Sequence, residues 1–227
     1  MKKSVVFLPM RRGSERVKNK NIRPFADKEF GLFELKIEQL LKSNIDRIIV
    51  STNDHQIINY AEKINNNKIC IDHRPEEYCT SKTSTDDLIS YAGTLFDNEI
   101  VIWTHVTSPF IDEKVYNDAI EIYQKNLSEF DSLMSVNKFQ SFLWDSTGPI
   151  NYNKDELKWP WTQTLNKLYE INSGIFIADS LIYQTIGDRI GSKPYLFETD
   201  KILSFDIDWE DDFAIAQEIY KAKKNNE

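Results

Sequence analysis

"FLPMRRGSERVKNKN", Phe7 to Asn21, sets five cations (Arg11, Arg12, Arg16, Lys18 and Lys20) beside a single acid, Glu15. The stretch begins inside "SVVFL", Ser4 to Leu8, a β-branched and aromatic run closed by Pro9 that reads as a buried strand. The whole chain is acidic, with 28 Lys and Arg against 36 Asp and Glu in 227 residues and a net charge of -8. Positive charge gathered at the end of a buried strand in an acidic chain implies an anion held there.

Outward from that loop, strand and helix patterns alternate. "FGLFELKIEQLLKS" spaces its apolar residues as a helix does, "DRIIVST" reads as a strand, and "DHQIINYAEKI" as a helix capped by Asp54. "KICI" is a third strand, and a polar stretch, "DHRPEEYCTSKTST", follows it. "DDLISYAGTLF" is helical, "EIVIWTHV" a central strand, "EKVYNDAIEIYQKN" a helix and "FDSLMSVNKF" a strand. "YEINSGIFIA" and "ILSFDIDW" are expected as the last two strands, and "EDDFAIAQEIYKAKKNNE" as the last helix. This alternation predicts an α/β fold, a mostly parallel sheet covered on both faces, in a single domain over 1–227. Ligands in such sheets bind beyond the carboxyl ends of the strands, which is where the basic loop lies.

Composition narrows the function. The net charge argues against a surface that binds nucleic acid. Two cysteines, Cys70 and Cys79, make no disulfide framework and no Cys/His metal spacing, so both are expected reduced. No apolar run approaches the roughly 18 residues of a membrane span, and the first run is too short for a signal peptide, so the expectation is a soluble cytoplasmic protein.

Four stretches carry candidate chemistry. In the basic loop, Gly13 and Ser14 let backbone N–H groups approach phosphate oxygens, and Arg11 and Lys20 add charge-assisted bonds. A merely solvated basic loop is the plain alternative. In "SFDIDWEDD", a strand would turn Asp206 and Asp208 to one face, where two carboxylates suit Mg²⁺ shared with substrate phosphates. The alternative is a strand end that caps the next helix. "WTHVTSPFID" brings the hydroxyls of Thr107 and Ser108 to the ligand edge, while His105 is a strand histidine of the kind usually packed in place. The polar "HRPEEYCTSKTST" is either a substrate loop or plain surface.

Taken in order, "MRRGSERVKNKN", "STND", "RPEEYC", "THVTSPFI", "NSGIFI" and "DIDWEDD" resemble the motifs of the acylneuraminate cytidylyltransferases, or CMP-sialic acid synthetases. The chain is similar, more distantly, to the CMP-Kdo synthetases. The resemblance implies a three-layer α/β nucleotide-binding fold with a small dimerisation extension, which falls on 140–168, and hence a homodimer. It implies transfer of CMP from CTP to a sugar acid with release of pyrophosphate and Mg²⁺ as the cofactor. Arg11 and Lys20 would hold the CTP phosphates in a loop shared with Gly13, Ser14 and Arg16. Asn21, Ser84 and Asp208 fall on family binding positions, and Asp206 and Asp208 on the Mg²⁺ ligands. His105, Thr107, Ser108 and Gln163 would face the acceptor.

This chain departs from the pattern at three places. Glu15 stands where the family has a second loop lysine, with Arg16 next to it as the replacement. His105 replaces a glutamine that faces the sugar in the family. "WTQ", Trp161 to Gln163, replaces "RRQ", which removes a basic residue expected near the sugar carboxylate; Lys138 and Lys167 are the alternatives.

Overall fold

Ser4–Met10 forms β1, and all seven of its residues are buried. The computed structural model describes residues 2–225. After β1 the chain continues through α1 (Gly31–Lys42), β2 (Arg47–Thr52), α2 (His55–Ile64), β3 (Ile69–His73) and α3 (Thr85–Gly93). Then come β4 (Ile100–Thr104), α4 (Glu113–Lys125), β5 (Ser132–Phe139), β6 (Leu168–Asp179), α5 (Ser180–Thr185), β7 (Pro194–Glu198) and α6 (Glu210–Lys224). The seven strands make one sheet in the order β3-β2-β1-β4-β6-β5-β7. β1, β2, β3 and β4 pair in parallel, and β6 runs antiparallel to both β4 and β5.

The period-two alternation of β1 divides the core. Val6, Leu8 and Met10 join Leu32, Ile37, Ile57, Ile120 and Phe213 on the face covered by α1, α2, α4 and α6. Val5 and Phe7 join Trp103, Phe176, Ile89 and Tyr183 on the face covered by α3 and α5. The helices start where short polar side chains accept their free N–H groups. Asp54 accepts from Gln56, Ser84 shares a capping box with Asp87, and Asp112 accepts from Lys114 and Val115.

Two elements differ from the sequence expectation. "ILSFDIDW" is not a strand: residues 201–204 form a turn and 205–208 belong to no strand or helix. The edge place beside β5 goes instead to β7, a short strand that begins at Pro194. The proline is tolerated because an edge strand leaves one side of its backbone unpaired. The 205–208 segment docks by a single backbone bond, Ile207 N–H to Thr107 O at 2.9 Å, because β4 already lies between β1 and β6.

The irregular stretch is an excursion between two paired strands, since Phe139 of β5 stands opposite Leu168 of β6. Local contacts hold it. The buried Asn151 side chain donates to Ser141 O and accepts from Leu143 N, and the Phe142 ring packs between Tyr152 and Trp159. Trp159 is 70% exposed and Trp161 77%, so the excursion does not fold its tryptophans onto the core.

Candidate active site

β1 and β4 are parallel neighbours, Val5 opposite Val101 and Phe7 opposite Trp103, so the loops that leave their carboxyl ends emerge side by side. Between them opens a cleft of about 360 Å³ lined by Arg11, Ser14, Arg16, Lys20, Asn21, Ser81, His105, Thr107 and Asp208 among others. Gly13 has φ +82°, a left-handed turn that glycine adopts freely, and its carbonyl accepts from Arg11 Nη1. Asn21 fastens the far end of the loop: its side-chain amide donates to Arg11 O, and its carbonyl accepts Phe33 N in the first turn of α1.

Cations and carboxylates meet across the cleft. Lys20 Nζ donates to Ile207 O at 2.6 Å and stands 3.7 Å from Asp208. Arg16 pairs with Asp208 at 3.0 Å and lies over the Trp209 ring. Burial draws the Lys20 ammonium below its ordinary value, while Asp208 and Asp206 pull it back up. Burial raises the Asp206 carboxyl, and the Asp208 charge adds to the rise; a hydrogen bond from the Thr107 hydroxyl and the charge of Lys20 oppose it. Ile207 is wholly buried, while Asp206 and Asp208 on either side of it are only partly buried.

The donor set suits a hard cation that arrives with phosphate. Among the described residues no group of three or more His, Cys, Asp or Glu could hold a metal. Two mutually repelling carboxylates, one of them largely buried, leave the remaining ligand positions to substrate oxygens, which is how Mg²⁺ is usually bound.

His105 follows β4 directly, one residue past the strand in which the sequence pattern places it, and lines the cleft. Burial pushes its pKa down to about 3, with Arg189, Lys20 and Lys36 adding to the fall, so the ring is neutral. Trp103 Nε1 donates to His105 Nε2 at 3.0 Å. The ring proton therefore belongs on Nδ1, and His105 offers a donor rather than a charge.

Gly13 and Asp206 border the cleft without lining it, and three further expected site residues lie elsewhere. Ser84 caps α3 and is outside the cleft lining, where Ser81 of the same loop stands instead. Ser108 is buried, and its carbonyl accepts from Lys36. Gln163 sits in the excursion, its carbonyl accepting from Gln140, away from the cleft. Of the alternatives for the missing cation, Lys138 is paired with Glu198.

The sequence reading missed Lys36. Its ammonium, 0% exposed, donates to Ser108 O, Ile111 O and the Tyr116 hydroxyl. Tyr116 in turn reaches Thr104, whose hydroxyl donates to Gly174 O. Burial lowers the Lys36 pKa to about 7, with Asp112 opposing. Nothing in "FELKIEQ" marks this lysine as interior; it falls on the apolar stripe of α1 beside Leu32, Leu35 and Leu40.

The cytidylyltransferase family model matches residues 5–226. The chain belongs to the cytidylyltransferase family. It is 30% identical over 233 residues to an N-acylneuraminate cytidylyltransferase of Escherichia coli, an alignment that covers 99% of this chain and 54% of that protein. Thus it spans about half the length of the first curated relatives it matches. It is 25% identical to a pseudaminic acid cytidylyltransferase of Campylobacter jejuni, with 96% of this chain and 97% of that one aligned. The solved structure of CMP:2-keto-3-deoxy-manno-octonic acid synthetase complexed with CTP shares the fold at a TM-score of 0.68 and 11% identity, covering 97% of this chain and 99% of that chain. 4-diphosphocytidyl-2C-methyl-D-erythritol synthase from Anaerococcus prevotii does so at 0.69 and 12%, covering 97% and 96%. No helix among the described residues is long and apolar enough to cross a membrane.

Proposed function

We propose that the protein transfers CMP from CTP to a sugar acid of the nonulosonic or sialic type, releasing pyrophosphate in a Mg²⁺-dependent reaction. The observation that carries this reading is the meeting of Arg11, Arg16 and Lys20 with Asp206 and Asp208 at one sheet edge. Relatives named for this activity along nearly the whole chain support it.

Arg11 and Lys20 bind the triphosphate and stabilise charge that grows on the leaving oxygens as the sugar hydroxyl attacks the α-phosphorus. Backbone N–H groups around Gly13 and Ser14 cradle the same oxygens. With phosphate bound, Arg16 and Lys20 exchange Asp208 for the anion, which frees both aspartates to hold the cation. Mg²⁺, when bound, supplies charge neutralisation at the phosphates and acidity to the attacking hydroxyl. Neutral His105 and Thr107 orient the acceptor at the far side of the cleft.

The test is a pyrophosphate-release screen of the four nucleoside triphosphates against a panel of sugar acids, with Mg²⁺ and with excess chelator. Release is expected only with CTP, a sugar acid and the metal. Equal turnover of all four nucleotides would refute CTP selectivity, and turnover in chelator would refute the metal.

The excursion over 140–168 is the proposed dimerisation segment. Its support is the exposure of Trp144, Trp159 and Trp161, since aromatic residues are enriched at protein interfaces.

A further inference from the structure

Arg189, between α5 and β7, has no role in the site described so far. Its guanidinium carbon stands 3.8 Å from the centre of the Phe176 ring and 5.3 Å from that of Trp103. Among the described residues its one hydrogen bond is made by the backbone, N–H to Asp188 Oδ1 at 2.6 Å. The guanidinium itself donates to nothing there. The rings hold the half-buried guanidinium by cation–π attraction and leave its N–H donors open to an incoming acceptor. Burial accordingly draws the guanidinium below its ordinary pKa, with Tyr183 and Asp188 opposing.

A second orphan lies next to it. Tyr183 is 2% exposed, its hydroxyl has no partner among the described residues, and its ring stacks on Trp103 with an interplanar angle of 8°. Trp103 therefore touches three polar groups: Tyr183 stacked on it, the Arg189 cation above it, and His105, to which its Nε1 donates. His105 lines the phosphate cleft, and Arg189 is the foremost of the charges that act on it. The guanidinium is thus linked to the cleft through Trp103 and His105, on the β6 side of β4 rather than the β1 side from which Arg11, Arg16 and Lys20 come.

A half-open guanidinium with no partner matches a planar carboxylate, which takes two parallel N–H bonds from the fork. Lys138 is engaged by Glu198 and belongs to a different groove, together with Phe139, Thr199 and Lys201. We propose that Arg189, itself stacked on Phe176 and Trp103, receives the carboxylate of the acceptor on its open side, with His105 between it and the cleft. This assignment rests on the function proposed above.

The test compares wild type with R189K and R189M, using CTP and whichever sugar acid turns over, and also the methyl ester of that acid. For R189M the acceptor KM should rise at least about 30-fold, the effect of removing one partner of an enclosed charge pair. The KM for CTP should stay within twofold, and R189K should recover part of the loss. Wild type should disfavour the methyl ester by a similar factor, a result that needs no variant to fold, and R189M should treat acid and ester alike. An unchanged acceptor KM in folded, CTP-binding R189M, or an ester used as well as the acid by wild type, would overturn the Arg189 assignment alone. Binding of CTP without turnover of any sugar acid would overturn the proposed function and this assignment with it.

Discussion

At the scale of single residues, the proposed chemistry rests on Asp208, Arg11 and His105. Asp208 is half exposed and, among the described residues, bonded through its side chain only to Arg16 and Lys20, so its removal should leave the fold intact. Asp208→Ala is expected to abolish measurable pyrophosphate release, and Arg11→Ala to lower the rate about a hundredfold to a thousandfold, equivalent to ~2–4 kcal/mol of transition-state stabilisation. Wild-type rates in either folded variant would refute the site. His105 makes an acid-side prediction. Its folded pKa is about 3, against 6.5 when unfolded. Between those values the unfolded chain binds the extra proton, so the histidine destabilises the fold progressively as pH falls from about 6.5 towards 3 and has no such effect above that window. Unfolding midpoints measured from pH 8 to pH 4 should fall less steeply in His105→Asn than in wild type; parallel curves would show that the histidine titrates normally.

At the scale of elements, the basic loop is held by its neighbours. Gly31 opens α1 at φ +66°, and a Cβ there would meet Arg23 O at 2.2 Å, a backbone atom that cannot swing aside. Two residues on, Phe33 N–H donates to Asn21 O, so a displaced start of α1 displaces the end of the basic loop. Gly31→Ala should therefore destabilise the protein by at least about 2 kcal/mol and weaken CTP binding with it, as denaturant midpoints and calorimetric titration would show. A stable variant with normal CTP affinity would separate helix from loop. On the other side of the cleft, Lys36 ties α1 to the turn after β4. Lys36→Met leaves three buried acceptors, Ser108 O, Ile111 O and the Tyr116 oxygen, without their donor. The expected cost is about 3 kcal/mol or more, read from the shift in denaturant midpoint. A shift below 1 kcal/mol would mean that water replaces the ammonium.

At the scale of the whole molecule, the excursion between β5 and β6 carries Trp144, Trp159 and Trp161 away from the core. Its own hydrogen bonds give it a shape, and the ring contacts of Trp144 and Trp159 among the described residues stay within the excursion. Sedimentation equilibrium is expected to give about twice the chain mass of 26.6 kDa. Trp159→Ser with Trp161→Ser should shift that towards the monomer and lower turnover together. A fully active monomer at assay concentration would show that the excursion has another use.

Much of this protein is local in origin and so is legible in the sequence. The buried run before the basic loop, the caps at Asp54 and Asp112, and the apolar stripes of the helices each need only neighbouring residues. They determine the strand and helix alternation and, from it, the sheet edge at which Arg11, Arg16 and Lys20 collect. The acidic pair is visible too, because Ile207 separates Asp206 from Asp208 in sequence as it does in space. Tertiary structure alone decided that these aspartates sit outside any strand, because β4 had no free side to offer them and β7 had taken the edge beside β5. It also put Ser81 rather than Ser84 at the cleft, since one serine of that loop was committed to capping a helix. Lys36 and Arg189 look in sequence like any surface cations. They became an interior brace and an unpaired guanidinium only because residues 72 or more positions from Lys36, and Trp103 and Phe176 for Arg189, were folded against them. Long-range contacts of that kind leave no periodic signal in a chain.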